Sequence, residues 1–151
     1  MLTEVSGNLL DAEVDALVNA VNTAGVMGKG IALDFKRAFP ANFDAYRLAC
    51  RRGKVRLGEL LVVATGQERP RWIVNFPTKA HWRSRSRLAD LEAGLAELAR
   101  VATELGIGSL AVPALASGNG GLPWDQVRPL LHGALADLPA TDVLLYLPGS
   151  S

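Results

Sequence analysis

The chain has 151 residues, of which 49% are hydrophobic and 21% charged, with a formal net charge of +1. This length fits one domain that buries its own core without staples, and so many apolar residues at so small a net charge exclude disorder. One cysteine, Cys50, excludes an internal disulfide and points to a reducing compartment; no apolar run approaches the ~18 residues of a membrane helix and the N-terminus lacks a signal-peptide pattern, so a soluble cytoplasmic domain is expected.

Short apolar runs alternate with helical patterns along the chain. A weak strand is predicted near Leu2–Ser6 and a firmer one over Ala16–Ala20. A helix starts within Gly28–Ile31 and runs to Ala38, where Pro40 ends it, and a second covers about Asn42–Arg52 before Gly53. Strands follow at Leu60–Thr65 and Trp72–Phe76. The clearest helix runs from Arg87 to Leu105: Leu88, Leu91, Leu95, Leu98, Ala102 and Leu105 recur every three or four residues, and Gly106 stops it. A strand at Ser109–Pro113, a helix at Trp124–Ala136 and a strand at Val143–Leu147 complete the pattern. Strands that read as unbroken apolar runs suit a sheet buried on both faces, so the predicted class is α/β, a three-layer α/β/α domain over residues 1–147. Residues 148–151, Pro-Gly-Ser-Ser, read as a tail or the start of a linker.

The small net charge hides a segregation. Residues 29–87 carry 14 of the 16 lysines and arginines, whereas residues 1–28 have no basic side chain and residues 88–151 are net acidic. Such a middle third either makes an electropositive face or mixes with the other charges on a solvated surface, and charge alone favours the second.

Two glycine-rich segments fall at strand-to-helix junctions, Val18–Ala32 and Pro113–Trp124. Neither is a nucleotide-triphosphate loop, because Gly28-Lys29 is followed by Gly30 instead of Ser or Thr, and neither keeps the glycine order of a dinucleotide fingerprint. One such loop is most simply a tight turn. Two in one small α/β domain favour an anion held by backbone N–H groups.

These segments, with Gly7-Asn8-Leu9-Leu10 and Asp15–Asn22, resemble the macrodomain family, the ADP-ribose-binding α/β/α fold with a central mixed sheet flanked by helices. The resemblance covers nearly the whole chain. The finer match lies in Val26–Ala32, Asn75–Arg83 and Ser117–Trp124, which are similar to the branch of the family that removes ADP-ribose from DNA. Two departures stand out. Asn8 occupies the position where macrodomains typically carry an adenine-binding aspartate, and the second glycine loop has no acid before Asp125.

The resemblance implies an ADP-ribosyl glycohydrolase acting on thymine bases of single-stranded DNA, an antitoxin to a DNA ADP-ribosyltransferase. The alternatives are a non-catalytic ADP-ribose reader or a hydrolase of protein-linked ADP-ribose esters. Lys79 is the implied catalytic residue. The implied ADP-ribose contacts are Asn8 and Leu9 with Tyr146 and Leu147 at adenine, and Val26, Met27, Gly28, Lys29 and Gly30 with Ser117, Gly118, Asn119, Gly120 and Gly121 at the diphosphate. Asn22 is assigned to the distal ribose, with turn capping as its plainer role. His81, Trp82, Arg83 and Arg85 are candidates for DNA contact, weighed evenly against a helix lead-in with Trp82 packed inward. Cys50, His81 and His132 are too scattered for a zinc site, and no metal, cofactor or membrane is expected. Asn19, Trp124 and Asp125 read as structural.

Overall fold

The computed structural model describes residues 1–81 and 83–149, so the expectations for Trp82, Ser150 and Ser151 lie outside the described residues. Along the chain run β1 (Leu2–Val5), β2 (Ala16–Asn22), α1 (Gly30–Ala38), α2 (Pro40–Arg51), β3 (Leu61–Ala64), β4 (Trp72–Lys79), α3 (Leu88–Glu104), β5 (Ser109–Val112), α4 (Trp124–Leu135) and β6 (Asp142–Tyr146). Single 3-10 turns lie at Leu9–Asp11 and Gly118–Gly120. The six strands form one sheet in the order β1-β6-β5-β2-β4-β3, with every neighbouring pair parallel except β3 and β4.

Alternation along the strands builds the two cores. Ala16, Val18, Val74, Phe76, Leu110, Val112, Val143 and Leu145 face α3 and α4, where Leu91, Leu95, Leu98, Val127, Leu131 and Leu135 complete the larger core. Leu17, Ile73 and Ala111 face the other way, onto Phe35 of α1 and Leu9. Val21 meets Tyr46 of α2 together with Met27 and Val55. The layers are therefore α3/α4, sheet, α1/α2. Gly94 lets α3 lie against β4: a Cβ there would sit 2.4 Å from Cζ of Phe76.

The α1/α2 face also buries an amide cluster. Asn19 and Asn75 are register partners on β2 and β4, and Asn42 of α2 reaches both amide groups of Asn75, donating to its Oδ1 at 3.1 Å and accepting from its Nδ2 at 2.9 Å. Asn19 donates to Asn75 Oδ1 at 3.3 Å. Asn19 is thus structural, but it bonds side chains instead of the loop backbone.

Where element ends differ from the sequence reading, most do so by one residue, and three differ by two or more. α2 begins at Pro40 instead of Asn42, because a proline suits the first turn of a helix, where no N–H is needed. β2 and β4 both run past their expected ends, to Asn22 and Lys79. Their register shifts there: Val21 pairs with Pro77 but Asn22 with Lys79, leaving Thr78 as an extra residue whose Oγ1 donates to the Val21 carbonyl at 3.4 Å. Lys79 and Asn22 are therefore strand-end residues fixed by the sheet, instead of loop residues beyond it. An inserted residue of this kind re-aims the side chains that follow it.

Candidate functional site

Parallel strands ending together leave a crevice beyond their carboxyl ends. Here it is a groove of about 480 Å³, bounded by the ends of β2, β4 and β6, the N-terminus of α1 and the loop after β5.

One end is formed by Gly7, Asn8 and Leu9 with Tyr146 and Leu147. Pro148 and Gly149 continue this wall, so the expected tail begins as part of the groove. Asn8 caps the first 3-10 turn, its Oδ1 accepting from the Leu10 N–H at 3.0 Å. Asn8 is the residue expected at adenine, and the turn already engages its amide oxygen.

The middle is built for an anion. α1 starts at Gly30 behind Lys29, which provides no side-chain cap, and Gly30, Ile31 and Ala32 of its first turn line the groove. A helix N-terminus with uncapped N–H groups attracts negative charge. Across from it, the loop after β5 spends the N–H groups of Ser117, Gly120, Gly121 and Leu122 on its own carbonyls. The N–H groups of Gly118 and Asn119 make no such bond among the described residues. Gly118 adopts φ +60°, and Ala116, a non-glycine residue, is held at φ +65°. Strain of that kind in a buried loop is typical of binding sites.

Lys79 and Asn22 close the other end. The Nζ of Lys79 donates to the Asn119 carbonyl at 3.0 Å, tying β4 to the second glycine loop. Burial lowers the pKa of Lys79 from the ordinary lysine value, and the charge of nearby Lys29 lowers it further. Asn22 is 7% exposed and works within the first loop: Nδ2 donates to the Val26 carbonyl at 2.8 Å, and Oδ1 accepts from Ala24 N at 3.0 Å and from the Tyr46 hydroxyl at 2.8 Å. The turn-capping role is thus observed, and one N–H of Nδ2 remains for the groove. Burial raises the Tyr46 phenol well above its ordinary range, so it stays a donor.

Most of the implied ligand contacts line this groove, but Met27, Gly28 and Gly121 do not. Met27 is 1% exposed because its side chain fills the core under the loop, against Val21, Tyr46 and Val55. Gly121 turns its carbonyl to Nη2 of Arg85 at 3.2 Å. Asp34 was missed and is the only carboxylate lining the groove among the described residues. Helical spacing puts it on the face of Gly30 and Ile31, a signal present in the sequence.

After Lys79, His81, Arg83 and Arg85 do not line the groove. His81 Nδ1 accepts from the Arg83 N–H at 3.1 Å, and the Ser86 N–H donates to the Gly120 carbonyl at 2.9 Å. Arg83 and Arg85 are exposed. Ser86 and Arg85 therefore brace the second glycine loop, through its Gly120 and Gly121 carbonyls. Trp124 is half-buried against the larger core and Asp125 lies in the first turn of α4. Among the described residues no three His, Cys, Asp or Glu side chains group as metal ligands, and no helix is long and apolar enough to cross a membrane.

Residues 18–131 match the Macro domain family. The chain is 54% identical over 149 residues to the DNA ADP-ribosyl glycohydrolase of Mycobacterium tuberculosis, covering 98% of this chain and 42% of that protein. The chain thus spans about two-fifths of the length of the curated relatives it matches. Among solved structures, the macrodomain of Mycobacterium tuberculosis DarG superposes with a TM-score of 0.96 at 54% identity, covering 99% of both chains. Thermosipho africanus DarTG in complex with ADP-ribose superposes with a TM-score of 0.89 at 31% identity, over 99% of this chain and 42% of that one.

Proposed function

This chain belongs to the Macro domain family, and from that premise we propose that it is a DNA ADP-ribosyl glycohydrolase domain, removing ADP-ribose from thymine bases of single-stranded DNA. In the cell it would act in the cytoplasm as the antitoxin to a DNA ADP-ribosyltransferase of the DarT kind. The likeness to DarG over nearly the whole chain supports that partner and substrate.

In this reading adenine lies between Asn8, Leu9, Tyr146 and Asp34, and the diphosphate crosses between the α1 N-terminus and the N–H groups of Gly118 and Asn119. The remaining Nδ2 proton of Asn22 meets the distal ribose, whose anomeric carbon faces Lys79. Cleavage of the N-glycosidic bond builds positive charge on the sugar and negative charge on the departing base. A cation beside the base stabilises that transition state more than the ground state. In its neutral form the same amine can attack the opened sugar. Burial, with the charge of Lys29 second, lowers the pKa of Lys79 and so favours its neutral form relative to an ordinary lysine. No carboxylate lies in residues 117–121 to share the work. The chemistry needs no metal or redox group.

The observation that carries the catalytic reading is Lys79 itself, aimed into an anion-binding groove by the extra residue in β4. A non-catalytic reader would need both glycine loops but no lysine there. The test is release of free ADP-ribose from ADP-ribosylated single-stranded DNA beside ADP-ribosylated protein. Turnover of DNA alone, lost in Lys79→Ala with ADP-ribose binding kept, is the expected result. Turnover of protein esters alone would transfer the site to the rival hydrolase.

A further inference from the structure

Resting on that reading, we propose that the C-terminal end of α2 and the turn after it hold the substrate strand: Arg51, Arg52 and Lys54, beside Arg47, bind phosphates of the DNA flanking the modified base.

Position carries this first. The Thr23 N–H donates to the Lys79 carbonyl at 3.1 Å and its hydroxyl to the Ala80 carbonyl at 2.8 Å. Two residues on, a Cβ at Gly25 would lie 3.4 Å from Cβ of Cys50 and 4.0 Å from Cγ of Arg47. Unbroken contact therefore leads from Lys79 over the first glycine loop onto α2. The turn after α2 is held at the same end. Val55 is buried against Val21, Met27 and Tyr46, and Leu61 pairs antiparallel with Asn75, so β3 enters the sheet from the Lys79 side.

Charge carries it second. Arg47, Arg51, Arg52 and Lys54 are all exposed, and no carboxylate lies within ion-pair distance of any of them among the described residues. The acids nearest in sequence are Asp44, exposed one turn before Arg47, and Glu59, 4.0 Å from Arg56. Arg83 and Arg85 lie on the other side of Lys79 along the chain. A strand with its modified base at Lys79 thus meets exposed cations on its α2 side, and single strands are held by tracks of this kind. Among the described residues no hydrogen bond or ion pair engages the guanidinium of Arg51 or Arg52.

The test is the triple variant Arg51→Gln, Arg52→Gln and Lys54→Gln, in the domain that carries the wild-type activity. Turnover is measured on a long ADP-ribosylated oligonucleotide and on thymidine-linked ADP-ribose, across a salt series. At low salt the KM for the long substrate should rise about tenfold with kcat unchanged. Its slope against log salt should flatten by about 2, at roughly 0.7 per single-strand phosphate. Thymidine-linked ADP-ribose should be handled as by wild type. An unchanged KM on the long substrate, or an equal loss on both, overturns the assignment while leaving the proposed function standing. Wild-type DNA turnover in the variant with loss of transferase capture gives the face to a protein partner and also overturns it. No turnover of any modified DNA by the wild type overturns the proposed function, and the strand path with it.

Discussion

Gly30 and Asn119 bring the two glycine loops into contact: a Cβ on Gly30 would stand 2.8 Å from Nδ2 of Asn119. Gly30 also holds φ +63°, a conformation that costs an L-residue about 1–2 kcal/mol. The contact joins the first turn of α1 to the loop whose carbonyl at Asn119 accepts from Lys79. Gly30→Ala should therefore strain the entry to α1, turn the Asn119 side chain aside and weaken ADP-ribose binding by about tenfold, the equivalent of ~1.4 kcal/mol. Calorimetry reads the affinity. An unchanged value in a folded variant would mean that the two loops do not grip one ligand together.

Tyr46 controls the first loop from beneath. Its hydroxyl lies 2.8 Å from both the carbonyl and Oδ1 of Asn22. Tyr46→Phe removes the one buried O–H shared between these two acceptors, while Oδ1 keeps the Ala24 N–H, and the loss costs about 1–3 kcal/mol. The melting temperature should fall, and the KM for the modified DNA should rise because Asn22 loses one of the partners that hold it, keeping those to Val26 and Ala24. A stability loss with an unaltered KM would place Asn22 outside the ribose contact.

Asp34 offers the adenine end a carboxylate where Asn8 has an engaged amide. Ile31, one turn earlier on α1, packs in the cluster of Leu9 and Tyr146, which places Asp34 beside the wall proposed for adenine. Asp34→Ala should weaken ADP-ribose about tenfold, within the range of a hydrogen bond to a charged group. The analogue with a 6-oxo group in place of the amino group should bind wild type poorly and the variant no worse. Equal losses for both ligands would show that Asp34 does not read the amino group.

The fold was readable because its strands are apolar runs and its helices keep their period, so every predicted strand and helix is present with small boundary shifts. The groove was readable less evenly. Gly118 and Asn119 follow from the logic of glycine loops. The sequence did not reveal that the Met27 side chain fills the core under the loop, since a loop residue can point into a core as readily as outward. The end of β4 was hidden for another reason: Pro77 reads as a strand terminator, yet the sheet continues past it by accommodating Thr78. The carboxylate of Asp34 was visible in the α1 period but not sought.

Lys29 and Lys79 both line the groove, and the charge of Lys29 is one of the two causes that lower the pKa of Lys79, burial being the larger. Lys29→Gln removes the smaller cause, so the pKa of Lys79 should move back up towards the ordinary lysine range. The pH profile of kcat should then shift to higher pH, and the shift should shrink at high salt because Lys29 is exposed. The direction of the limb separates the mechanisms. A nucleophilic amine gives a kcat that rises with pH, with a borohydride-trapped adduct at Lys79 in mass spectra. A cation that stabilises the leaving base gives a kcat that falls as Lys79 deprotonates, with partial activity kept in Lys79→Arg and no adduct. Stability follows the same linkage. The folded lysine releases its proton below the unfolded value, so the unfolded state binds more protons in that window and the domain gains stability as pH rises through it. Lys79→Met should abolish that gain in denaturant titrations at alkaline pH. A kcat profile identical in wild type and Lys29→Gln at low salt would remove Lys79 titration from the rate.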